Sequence, residues 1–175
     1  MKEKEILNNI IEILVPTVFY ESQNGIKKVL DISIENPQEI LDVEILRNGF
    51  YGLKNYENPK FSILILLDSL TEGYLSKFNP EEIDILWGTL SVILNCRNIE
   101  HLRTKLTEEI YENHSIKYTY FNSSKIFNET EYIVANIKYM EFNAITILTE
   151  KEFINLTEEF KKLEIEIVEM NQNVA

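Results

Sequence analysis

The chain has 175 residues and a net charge of −12, from 29 acids against 17 bases; two independent cores would each sit near the lower size limit for burial, so a single domain over residues 1–175 is expected. Apolar residues make up 45% of the chain, with nine Phe, nine Tyr and Trp87, which excludes a disordered chain and promises a packed core. The acids are spread through the sequence, and Arg47, Arg97 and Arg103 are the only arginines. Without a cationic patch to neutralise phosphates, direct nucleic-acid binding is not expected.

Residues 3–15 place Ile6, Leu7, Ile10, Ile11 and Leu14 on one face and Glu5, Asn8, Asn9 and Glu12 on the other. That is the pattern of an amphipathic helix, and Pro16 ends it. Residues 18–20 and 26–34 read as strands joined at Asn24-Gly25, a pair that tolerates the positive φ of a tight hairpin turn. The segment 37–47 has two competing readings. Asn36-Pro37-Gln38-Glu39 carries helix-start chemistry, yet Leu41, Val43 and Ile45 alternate with Asp42 and Glu44 at strand period. The hairpin is preferred from Leu41 onward, turning at Asn48-Gly49 into residues 50–56.

Residues 61–67 are apolar but for Ser62, as in a buried strand. Asn79-Pro80-Glu81-Glu82 is a clear helix start, with the stripe Ile83, Leu86, Trp87, Leu90, Ile93 and Leu94 behind it. A second stripe follows at Ile99, Leu102, Leu106 and Ile110, which predicts an αα-hairpin over about 80–95 and 99–113. Residues 116–121, 132–140 and 143–148 read as strands. Thr149 with Glu152 makes a capping box that opens a helix striped by Phe153, Leu156, Phe160 and Leu163. Glu164-Ile165-Glu166-Ile167 has the period of a closing strand. The expected class is α+β: a mixed, mostly antiparallel sheet with the αα-hairpin and the N- and C-terminal helices packed on it.

Local chemistry is sparse. There is no phosphate loop, dinucleotide fingerprint, nucleophile elbow, Cys-x-x-Cys pair or His-Glu-x-x-His motif. Cys96 is the lone cysteine, so no intrachain disulfide forms and a reducing compartment suits the chain. It sits at an expected helix C-terminus, which disfavours a thiolate, and His101 lies across a helix break. His101, Glu108, Glu109, Glu112 and His114 have no recognisable metal spacing. No cofactor, metal or catalytic residue is therefore assigned, and the chain is read as a non-enzyme. The longest clean apolar run, 63–67, is far too short to span a bilayer, and polar residues interrupt any secretory apolar region near Met1. The expected address is the cytoplasm. A bias toward Ile, Asn, Glu and Lys suits an AT-rich bacterial or phage genome.

What remains is surface chemistry. An acidic fold can be steered to a basic partner. Tyr118 and Tyr120 lie in a Tyr-rich strand with a second face to cover. Glu158 and Glu159 precede the closing strand, where Glu164 and Glu166 would share one face about 6.6 Å apart. These six residues are the expected partner-binding set. The function expected is a protein-binding module of inhibitor, immunity or anti-defence type, covering a basic surface of a partner protein and, in one variant, mimicking nucleic acid. The alternatives are an assembly protein that self-associates through apolar surface, and a ligand binder or enzyme with a pocket no local motif announces. Oligomeric state and partner identity are not encoded in any motif.

Overall fold

Helix α1 (Lys2–Leu14) forms where the apolar stripe predicts it, and Ile6, Leu7, Ile10, Ile11 and Leu14 are buried. The structure, a computed structural model, describes residues 2–15, 20–42, 58–69, 76–77, 93–95, 97, 99, 104, 131–140 and 142–169. The last carbonyls of a helix have no partner within it, and here side chains supply them. The Gln23 amide donates to the Val15 carbonyl at 2.6 Å and Arg97 Nη1 to the Leu14 carbonyl at 2.9 Å.

Residues 20–35 are one helix, α2 (Tyr20–Glu35), which overturns the expected Asn24-Gly25 turn and the strand over 26–34; of the strand expected at 18–20, Tyr20 is helical and 18–19 lie outside the described residues. At helical spacing Gln23, Ile26, Leu30 and Ser33 share the buried face. That face packs on α1, whose own apolar stripe needs covering, and tertiary packing overrides the turn propensity of Asn-Gly. Gly25 is exposed, with nothing within 4 Å of where a Cβ would stand. Lys27–Glu12 and Lys4–Asp31 ion pairs cross between the two helices.

Residues 37–42 form a 3-10 helix (Pro37–Asp42). The cap reading of Asn36 is the right one: its carbonyl accepts from the Glu39 amide, and its side chain donates to the Glu39 carboxylate at 2.6 Å. The strand preferred from Leu41 onward does not form as far as Asp42, because the 3-10 turn continues and seats Ile40 in the core. Its continuation through 43–56 lies outside the described residues.

The buried strand expected at 61–67 is a helix, α3 (Pro59–Ser69). Asn58 is its cap, with Oδ1 accepting from the Lys60 amide at 3.1 Å, and Pro59 fills the first helical position. Phe61 through Leu67 are all buried. A helix enclosed on every side carries no amphipathic period, so it reads like a buried strand.

Strands β1 (Ser76–Lys77), β2 (Tyr132–Tyr139), β3 (Phe142–Thr149) and β4 (Glu166–Glu169) form one sheet in the order β1-β3-β2-β4. Every described pairing is antiparallel, in keeping with the α+β class. β2 and β3 make a hairpin turning at Met140, which has a φ of 51°. Both faces of β3 are buried: Phe142, Ala144 and Leu148 on one, Ile145 and Ile147 on the other. On the first face α4 (Glu150–Lys162) inserts Leu156 and Phe160 against Ile133, Ala135 and Ile137, and α1 lies over α4. Phe61 meets Phe142 edge to face at 6.5 Å between centroids and ties α3 to the same face. The Thr149–Glu152 capping box is present in both directions.

One buried charge fastens this arrangement. The Arg97 side chain is only 4% exposed and its Nη2 meets Glu152 Oε2 at 2.8 Å, while Nη1 serves the end of α1. Its Nε is buried without a hydrogen-bond partner among the described residues. Nearby, burial raises the pKa of the Tyr132 phenol, and the charges of Glu131 and Glu152 add to it against the opposing effect of Arg97. Of the αα-hairpin expected over about 80–95 and 99–113, residues 93–95 and Thr104 are helical, Arg97 N–H donates to the Ile93 carbonyl and Ile99 N–H to the Leu94 carbonyl; the remaining residues of both helices lie outside the described residues.

Candidate protein-binding surface

Helix directions decide where the charges gather. α1 and α2 run antiparallel, since Lys4 pairs with Asp31, Glu12 with Lys27, and the Val15 carbonyl with Gln23. α1 and α4 also run antiparallel: Arg97 links the Leu14 carbonyl to Glu152, and the Asn9 amide donates to Glu159. The N-terminal turn of α1, the C-terminal turn of α2, the 3-10 helix and the α4–β4 turn therefore come to one end of the molecule. The start of α3 joins them, because Lys60 Nζ donates to the Leu163 carbonyl at 3.1 Å.

Glu3, Glu35, Glu39, Glu164 and Glu166 are exposed at this end. None of the five has an ion-pair partner among the described residues. Several neighbouring cations are already engaged. Lys4 is held by Asp31, and that hydrogen bond raises its pKa, with Glu35 adding a smaller attraction. Lys162 is paired with Glu159 at 2.7 Å, and Lys60 is spent on the Leu163 carbonyl. Lys2 and Lys161 remain exposed at the same end, Lys138 is exposed directly across the sheet from Glu166, and all three dilute its charge. Between the helices lies a cleft of about 490 Å³, walled by Glu3, Lys4, Ile34, Glu35, Pro37 and Pro59.

Glu164 is the most informative of these positions. It follows the C-cap of α4 with a φ of 58°. Its amide donates to the Lys161 carbonyl and the Ile165 amide to the Phe160 carbonyl, which is the bonding of a left-handed helix stop. Glycine fits that conformation at least cost; a glutamate there carries strain of order 1 kcal/mol. Its carboxylate is held in water beside the start of β4.

The expected set divides accordingly. Glu158 is exposed on the outer face of α4, one turn beyond the exposed Ile154. Glu159 is no free ligand: its side chain is 14% exposed and accepts from both Asn9 and Lys162. Glu164 and Glu166 do not share a strand face, since the strand begins at Glu166 and Glu164 sits in the turn. The regular 6.6 Å spacing that suggested nucleic-acid mimicry is therefore lost. Tyr118 and Tyr120 lie outside the described residues, as do Cys96, His101, Glu108, Glu109, Glu112 and His114. Glu3, Glu35 and Glu39 were missed; the signal was available only once 20–35 was read as a helix returning its C-terminus to the start of α1.

Such a surface can accept hydrogen bonds from Lys and Arg side chains, and Arg forks in particular engage carboxylates bidentately. Among the described residues no group of three or more His, Cys, Asp and Glu could hold a metal ion, and no helix is long and apolar enough to cross a membrane. Comparisons with protein-family models, with curated proteins and with solved structures find no match.

Proposed function

We propose that the protein is a non-enzymatic, acidic protein-binding module of the inhibitor or immunity type, which covers a basic surface of a partner protein. The observation that carries this reading is the convergence of Glu3, Glu35, Glu39, Glu164 and Glu166 on one end, while Lys4, Lys60 and Lys162 are turned onto partners of their own. The strained backbone of Glu164 supports it, since a carboxylate held where glycine is cheapest points to a use for the side chain. Electrostatic complementarity of this kind speeds association and selects partners. The test is capture of a purified basic partner, first identified from lysate, at low and at raised salt. Retention at low salt that falls as salt screens the charges supports the reading; retention indifferent to salt defeats it.

A second reading, a small-ligand binder, draws on the cleft between α1, α2 and Pro59. Charge reversal at Glu164 and Glu166 separates the two, since it cripples partner binding in the first and spares the cleft in the second.

A further inference from the structure

Among the described residues β4 (Glu166–Glu169) is the last strand of the sheet: it pairs with β2 on one side and has no second neighbour there. An edge strand presents a row of unused N–H and C=O groups to solvent. Here Glu166, Val168 and Glu169 are exposed and Ile167 is half-buried. The register fixes which side chains share a face. Glu166 and Val168 stand opposite Lys138 and Asn136, and Ile167 and Glu169 stand opposite Ile137 and Ala135. Each face of the edge thus carries one carboxylate and one aliphatic side chain.

This pattern discriminates between occupants. A second copy pairing antiparallel through β4 would set Glu166 against Glu169 of its partner at both ends, and like charges directly opposed are destabilising. A partner strand reading basic–apolar–apolar–basic would set a cation against each glutamate and an aliphatic side chain against Ile167 and Val168.

We propose that the β4 edge is the docking strand for such a segment: an extended stretch of the partner protein with Lys or Arg flanking two apolar residues, added antiparallel to the sheet. This rests on the acidic protein-binding reading and names its mode. Main-chain hydrogen bonds hold the segment, and the two glutamates select its charge.

The experiment uses the full chain, ¹⁵N-labelled, titrated with a capped peptide carrying Lys-Val-Ile-Lys at its centre and with its Glu-Val-Ile-Glu counterpart. The Lys peptide is expected to shift and protect the amides of residues 166–169 while the Glu peptide does not. E166K/E169K is expected to weaken the Lys peptide at least about tenfold and to gain binding of the Glu peptide. Since both glutamates are exposed, the variant should fold, and its α4 and β2 amide spectrum checks that it does. Equal binding of both peptides, shifts confined to residues outside β4, or unchanged affinity in the variant would overturn the proposal. So would wild-type dimerisation through β4. If a basic partner protein binds the wild-type chain with full salt sensitivity but neither shifts nor protects the amides of residues 166–169, the acidic-surface reading stands and the edge-docking inference alone fails.

Discussion

Single residues hold this fold in ways their sequence neighbours do not announce. Arg97 is a buried cation whose carboxylate partner, Glu152, keeps 32% of its side chain in water and also closes the α4 capping box. Replacing it by Ala leaves the Leu14 carbonyl unserved and the charge of Glu152 uncompensated at a buried junction. Arg97→Ala is expected to cost about 3 kcal/mol, the low end for breaking a buried pair because Glu152 is partly solvated. Denaturant unfolding checks it; a loss under 1 kcal/mol would mean the bridge does not fasten α1 to α4. Glu164 makes the opposite case. Glu164→Gly relieves the left-handed backbone and is expected to stabilise the fold by up to about 1 kcal/mol, while weakening capture of a basic partner. Stabilisation with unchanged capture would leave the Glu164 carboxylate without a binding role.

At the scale of elements, amphipathic segments were legible and enclosed ones were not. α1 and α4 follow their period because each has one buried and one wetter side, and α4 also has a capping box that marks its start, while β2 and β3 are short runs rich in β-branched residues. α3 is enclosed all round, so periodicity is silent; the usable signal was Asn58-Pro59, the same cap-and-proline chemistry that marks Asn36-Pro37. α2 was misread because Asn24-Gly25 is a strong local hairpin signal and Ile26, Val29, Ile32 and Ile34 are β-branched. The faces of α1 and α2 pack together, and that non-local fact outweighs both. The two alternatives give opposite signs for one substitution. In a helix, Gly25→Ala removes a helix-weakening residue at a site with open space and should stabilise by about 0.5–1 kcal/mol. In an Asn-Gly hairpin turn it would force an alanine to positive φ and destabilise. Thermal or urea unfolding of the variant decides the sign.

For the molecule as a whole, composition foretold an acidic folded surface but not its geography. Glu164 and Glu166 could be picked from sequence; Glu3, Glu35 and Glu39 could not, because only the antiparallel return of α2 and α4 along α1 brings those ends together. That Glu159 is engaged within the fold was hidden for the same reason, since its partner Asn9 is 150 residues away in the chain. The surface reading leads to a single decisive comparison: binding of the wild-type chain and of a Glu164→Lys, Glu166→Lys double variant to the same purified basic partner, at low and at raised salt. The account predicts wild-type binding that weakens with salt, and a variant at least about tenfold weaker at low salt, with little salt dependence left. A variant that binds as tightly as wild type, with the same response to salt, would contradict it.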